Sequence, residues 1–411
     1  MNSLDTEKKH GKKRKINLED EQSPTGMELL PQDIIHDILS RLPITSLVQF
    51  KSVCKSWRAL AQDPHLVNLY LSSTSKKDPC LILHSDFPIR NHLYFVDFAA
   101  HEEEKKKVKR IHAPFSCKMP EFDVVGSCNG LLCLSDSLYH DALYVYNPFT
   151  CNYIELPKSV NYPEQEVVLG FGFHPKTKEY KIVRIVYYRN SHGSGYPRAR
   201  RIMYPQSEVQ ILTLGSPEWR RLGKVSYQLV RRSSEALVNG RLHFVSRPCR
   251  YKPARRLISF DLADEQFREV PKPDCGGLNR CNYHLVVLRG CLSAAVYCNY
   301  GRLEIWVMKE YNVKESWVKE YNIGAYMPKG LKQSPDRPFK MWKNSSNGKV
   351  VRALCLLRNG EVLLEYKSRV LVCYDPKQGK FQEVLLQGMP NWFQTVVHAG
   401  SLNWIDSAID A

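Results

Sequence analysis

The sequence predicts an α+β multidomain chain: a small N-terminal unit of three helices, then an all-β, propeller-like domain of about six blades. Three observations carry that prediction. Apolar residues recur at helical spacing between 27 and 71. From 80 to 405 they give way to short β-branched and aromatic runs punctuated by Gly, Asn, Asp and Pro. Those runs repeat as a loose four-strand unit, spaced by about 40 to 70 residues as propeller blades are. A β-sandwich array is the structural alternative.

The 411 residues are 43% hydrophobic and 25% charged, an ordinary globular composition that excludes a collagen, a wholly disordered chain and a membrane bundle. No apolar run approaches the roughly 18 residues of a membrane span. Residues 1–26 lack hydrophobic periodicity and are expected to be a disordered leader. That leader has no apolar h-region, so the chain is expected in the nucleus, the cytoplasm or both. Within it, Lys12-Lys13-Arg14-Lys15 reads as a nuclear-import patch or, more plainly, as a solvated tail. Thirteen cysteines include no C-x-x-C pair, so they read as small, mostly buried apolar residues, with no metal and no cofactor expected.

Leu30-Pro31-Gln32-Asp33 signals the first helix, because proline suits a first turn and Asp33 complements its positive end. Ile34, Ile35, Ile38, Leu39 and Leu42 follow at helical spacing until Pro43 stops the helix. Thr45 or Ser46 is placed to cap a second helix carrying Leu47, Val48 and Phe50. A third carries Val53, Cys54, Trp57, Leu60 and Ala61 and ends near Asp63-Pro64, with residues 72–79 as a linker. So small a unit buries only part of its own surface. Some of its apolar face is left for a partner or for the next domain, at roughly 1.5–3 kcal/mol per fully buried large side chain.

The repeat is clearest in three places. Each begins with an Asn-Gly turn (Asn129-Gly130, Asn239-Gly240, Asn359-Gly360), the pair that supplies the positive φ of tight hairpins. A strand follows, then a second strand ending in Asn or Asp (Asn147, Asp261, Asp375), then a turn and a last strand. Related units surround Val168–Phe173 and Leu285–Leu288. Leftover strands near Cys80–His84, Leu93–Phe98 and Thr395–Ile405 are expected to share one closing blade, which hides the sheet edges. Residues 406–411 read as a tail.

Leu30, Pro31, Ile34, Ile38, Leu42, Pro43, Leu47, Val53, Cys54 and Trp57 stand in a pattern that resembles the F-box. Val125–Cys133 with Tyr146-Asn147-Pro148, and Gly170-Phe171-Gly172-Phe173, resemble the F-box-associated interaction domain of plant F-box proteins. The resemblance implies a substrate-recognition subunit of a Skp–cullin–F-box ubiquitin ligase. Those ten F-box positions would carry the motif that docks a Skp-type adaptor, and through it a cullin, while residues 80–405 recruit a protein target. Some of the ten must form the unit's own core, and the sequence does not separate the two groups.

Nothing in the sequence argues for catalysis. H-E-x-x-H, G-x-S-x-G, the Walker loop and G-x-G-x-x-G are all missing. Gly170-x-Gly172 reads as a strand needing close backbone approach, and His174, His284 and His398 as core or rim residues. The sharper signal is charge. The net charge is +17, and residues 181–256 hold seventeen Lys and Arg against three Glu. Arginine dominates there, which suits bidentate capture of carboxylate or phosphate. Arg198, Arg200, Arg201, Arg250, Arg255 and Arg256 are the candidate contacts for an acidic or phosphorylated protein segment, against the plainer reading of a solvated face. The alternative function is a nucleic-acid-binding adaptor that uses the same stretch.

Overall fold

The computed structural model describes residues 30–74, 77–97, 108–138, 142–188, 206–230, 236–248, 255–274, 283–297, 302–332 and 351–403. The leader with its basic cluster, and the tail, lie outside the described residues.

Four helices, not three, open the described chain: α1 Gln32–Ser40, α2 Ile44–Phe50, α3 Lys55–Gln62 and α4 Pro64–Thr74. The fourth was hidden by Pro64, which starts a helix here rather than ending one. Asp63 precedes it, and its carboxylate accepts the His65 backbone N–H at 2.8 Å, so Pro64 takes the first-turn position where no N–H is needed. Pro43 plays a similar part. It occupies the N-cap position of α2 without a side-chain bond, so neither Thr45 nor Ser46 caps that helix.

Six four-stranded antiparallel sheets follow. Blade 1 holds β1 Cys80–Ser85, β2 Leu93–Asp97 and β3 Lys109–Ile111. Blade 2 holds β4 Phe122–Cys128, β5 Leu131–Asp136, β6 Leu143–Tyr146 and β7 Tyr153–Glu155. Blade 3 holds β8 Glu166–His174, β9 Glu179–Tyr188, β10 Gln206–Thr213 and β11 Arg220–Gly223. Blade 4 holds β12 Ala236–Val238, β13 Arg241–Val245, β14 Leu257–Asp261 and β15 Phe267–Val270. Blade 5 holds β16 Tyr283–Leu288, β17 Cys291–Tyr297, β18 Leu303–Met308 and β19 Trp317–Ile323. Blade 6 holds β20 Val351–Leu356, β21 Val362–Tyr366, β22 Val370–Asp375 and β23 Lys380–Val384. The last strand, β24 Phe393–His398, returns to blade 1 and pairs with β1 from Cys80↔His398 to Ser85↔Phe393. This is the closing blade the sequence predicted, and it leaves no open edge at the seam.

Each pair of neighbouring blades encloses its own apolar core; Leu132 and Leu134 face blade 1, for example, while Leu131 and Cys133 face blade 3. Middle strands are therefore buried on both faces, which is why Leu131-Leu132-Cys133-Leu134 is continuously apolar instead of alternating. The two glycines of Gly170-Phe171-Gly172-Phe173 serve this packing. A Cβ on Gly170 would sit 2.8 Å from Leu242, and one on Gly172 would sit 2.8 Å from Leu237 and 2.9 Å from Leu262. Asn129-Gly130 and Asn239-Gly240 take two successive left-handed residues as predicted. At the third turn only Gly360 is left-handed, and the Asn359 side chain accepts the Glu361 N–H instead. Arg289-Gly290 forms the equivalent double turn in blade 5, where no asparagine marks it. Of the nine cysteines described, four are buried and Cys54, Cys117 and Cys151 are exposed, so fewer are interior than composition suggested.

Candidate functional site

The helical unit sorts its apolar residues cleanly. Ile35, Leu39, Ile44, Leu47, Ala61, Leu66, Val67 and Tyr70 form one core, and that core includes Leu402 from the far end of the chain. Ile34 and Ile38, one turn apart on the opposite side of α1, are 47% and 43% exposed. Leu30 ahead of α1 and Val53 between α2 and α3 are 41% and 61% exposed. Pro31, Pro43 and Cys54 are also exposed. Leu42 and Trp57 are half-buried, and Trp57 sets its ring edge-on to Phe50 at 4.5 Å between centroids.

Nine of the ten predicted adaptor positions therefore keep surface open to solvent. The exception is Leu47, which is 0% exposed. It belongs to the unit's own core, clustered with Ile35 and Leu39 of α1 and Leu66, Val67 and Tyr70 of α4, while Pro43 at the start of α2 stays outside. A small domain rarely exposes so many large aliphatics in one place without a partner for them.

The unit does not swing free of the propeller. A Cβ on Gly400 would lie 3.0 Å from Ile44, Leu402 enters the helical core, and Phe149 packs against it from blade 2. The strand-end Asn147 locks this joint: its side-chain amide donates to the carbonyls of Ser401 and Asn403 at 3.1 and 2.8 Å. Sequence reading missed Phe149, Gly400 and Leu402 as joint residues, since each is remote from the helices along the chain. The Asn147-Pro148 turn was the one local signal.

The basic stretch changes character in space. Arg198, Arg200, Arg201 and Arg250 lie outside the described residues. Arg255 is half-buried, and Arg256 pairs with Glu269 at 2.8 Å. Arg247 pairs with Glu166, and Arg220 with Glu265 at 2.6 Å. Lys181 is buried and bonded to Glu265 and to the Leu262 carbonyl. Arg184 is 2% exposed and donates to Val160, Asn161, Gln165 and Gln210. Burial holds its guanidinium pKa down at about 10, well above neutrality. Among the described residues of this stretch, most of the positive charge is thus structural, either buried as in Arg184 or matched by acids such as Glu166, Glu265 and Glu269.

The innermost strands of all six blades surround a central cavity of about 320 Å³. Arg352 at its wall is paired to Glu365 at 3.1 Å. His174, His284 and His398 are buried. His284 accepts the Ala353 N–H of blade 6 at 3.0 Å, and His398 meets the Ser127 hydroxyl of blade 2 at 2.9 Å. His284 and His398 tie neighbouring blades together, while His174 accepts the Thr177 N–H of its own turn at 3.2 Å. Among the described residues no cluster of His, Cys, Asp and Glu has the makings of a metal site, and no helix is long and apolar enough to cross a membrane.

Residues 27–69 match the F-box domain, and residues 81–406 match the F-box associated beta propeller domain. The chain is 62% identical over 397 residues to the F-box protein At3g07870 of Arabidopsis thaliana, covering 94% of each. It is 28% identical over 403 residues to the Arabidopsis thaliana F-box protein CPR1, covering 92% of this chain and 89% of that one. To the F-box/kelch-repeat protein At3g23880 of the same plant it is 28% identical over 311 residues, covering 72% of this chain and 79% of the other. An apolar helical surface held against a six-bladed propeller, with both halves matched in this order, places the chain among the F-box proteins that carry an F-box-associated β-propeller.

Proposed function

We propose that the protein is the substrate-recognition subunit of a Skp–cullin–F-box ubiquitin ligase, acting in the nucleus or cytoplasm. The observation that carries this reading is the exposed group Leu30, Ile34, Ile38 and Val53, which the chain does not cover with its own propeller. Burying four such side chains against an adaptor contributes several kcal/mol at roughly 25 cal/mol per Å². The propeller then recruits a protein target, and the joint through Ile44, Gly400 and Leu402 holds target and adaptor in one orientation. The subunit's own role is non-catalytic: it works by proximity, while the transfer chemistry belongs to other members of the complex.

A titration tests the adaptor half directly. Purified Skp-type adaptor should bind the intact chain, and Ile38→Asp should weaken binding by at least about tenfold, since it buries a carboxylate in an apolar contact. Equal affinity of the two proteins, with circular dichroism unchanged, would remove the basis for the reading.

The nucleic-acid alternative finds less support. The cations it needs at Lys181, Arg184, Arg220, Arg247 and Arg256 are buried or committed to protein partners.

A further inference from the structure

We propose that the cavity on the propeller axis is a binding site for a small, uncharged molecule with an apolar body and one or two hydrogen-bonding groups. Such a site is independent of the ligase reading.

The wall begins with main chain. Each inner strand (β4, β8, β12, β16, β20 and β24) pairs with a neighbour on one side only, so its other edge turns N–H and C=O groups toward the axis. Two of the six depart from a regular ladder, and both do so at the cavity. Val125 in β4 and Leu354 in β20 drop out of the pairing register, while the other four inner strands pair without a shift. The side chains of these two residues are buried in cores between blades. What they present to the cavity is therefore backbone, released from the ladder by the bulge. Bulges are enriched beside functional sites, where they re-aim such groups.

The side chains set the chemistry of the guest. Val124, Leu237, Val287 and Val396, from four different blades, line the cavity and are half-buried. Among the described residues of the wall only Arg352 carries charge, and Glu365 matches it at 3.1 Å. An ionic guest would shed its hydration there without meeting an unmatched counter-charge. Polar complements are few. Gln394 brings a half-buried amide to the wall. Thr395, 1% exposed, brings a hydroxyl with no hydrogen-bond partner among the described residues. A buried hydroxyl in that state gains from a hydrogen-bonding guest. The volume of about 320 Å³ falls at the small end of the roughly 300–1,000 Å³ that small-molecule sites occupy. Water resting against apolar walls forgoes hydrogen bonds, so an apolar body displaces it favourably.

The test uses the full chain and two probes built on one aromatic skeleton. N-phenyl-1-naphthylamine is uncharged and fluoresces in apolar surroundings; 1-anilinonaphthalene-8-sulfonate adds a sulfonate. The wild type should bind the uncharged probe at one site per chain and the sulfonate at least about tenfold more weakly. Its melting temperature should rise with the uncharged probe present. Gln394→Glu, nearly unchanged in shape, places a carboxylate at the wall and should weaken the uncharged probe by about tenfold. Gln382→Glu, exposed on the outermost strand β23, should leave that affinity unchanged. Gly126→Val narrows the cavity and should abolish binding. Circular dichroism and the urea midpoint identify a variant that fails to fold, in which case Gln394→Glu carries the test. No binding of the uncharged probe, equal affinity for both probes, or equal affinity in the wild type and Gln394→Glu would overturn the proposal.

Discussion

Ile34 and Ile35 are neighbours in sequence and equally greasy, yet one faces solvent and the other the core. The difference is 100° of helix rotation, and it separates what is left exposed from what builds the core. Leu47 is the informative case among the motif positions. Leu47→Ala should destabilise the helical unit by about 2–5 kcal/mol, the usual range for a buried leucine, and should reduce adaptor binding only as far as it unfolds the unit. Urea denaturation paired with an adaptor titration at low denaturant checks this: a lost affinity in a variant with native stability would return Leu47 to the contact surface. Arg184 shows the same sorting among charged residues. It looks like part of a basic surface in sequence, and in space it pins the β7–β8 connection through the Val160 carbonyl and the side chains of Asn161 and Gln165.

Among the elements, histidines supply several of the polar contacts between blades: His398 to Ser127, His284 to Ala353 and His243 to Tyr311. Burial drives the His398 pKa down to about 3 and that of His243 to about 4, and lowers His84 as well. In the unfolded chain each titrates near 6.5. Between those limits the unfolded state binds protons that the folded state refuses, so stability present above pH about 6.5 is lost as pH falls toward the folded values. The urea midpoint should therefore drop steadily on acidification from pH about 6.5 to about 4. His398→Gln, which preserves a polar partner for Ser127, should flatten that slope; an unchanged slope would show that His398 is already protonated or solvated in the folded chain. The closing strand works at the same scale. Since β24 supplies the inner edge of blade 1, it joins the two chain ends of the propeller by main-chain bonds rather than by side-chain packing alone.

At the scale of the whole molecule, the joint between helices and propeller decides what the two surfaces achieve together. Gly400 lies under Ile44 with no room for a side chain, since an added Cβ would meet it at 3.0 to 3.3 Å. Gly400→Val should prise the two units apart while leaving each surface intact. Adaptor affinity and target affinity should both persist, and ubiquitin transfer to a captured target in a reconstituted ligase should fall by about tenfold or more, because orientation is lost. Undiminished transfer would mean that a flexible joint serves as well. The molecule thus holds the exposed apolar surface of its helices in a fixed relation to the propeller through this joint.

The sequence alone determined the order of the parts, the helical character of the first, the blade count of about six and the shared closing blade. Each of these is written in local periodicity and turn chemistry, such as the Asn129-Gly130 and Asn239-Gly240 hairpins. Helix α4 escaped because Pro64 reads as a stop and as a start equally well. Only the tertiary structure decided which apolar residues stay outside and which of the described arginines are paired. Those depend on partners far along the chain, from tens of residues away, as Glu265 beside Arg220 shows, to hundreds, as Leu402 beneath the helices shows. Periodicity reports which face of an element is apolar; only the fold reports what that face meets.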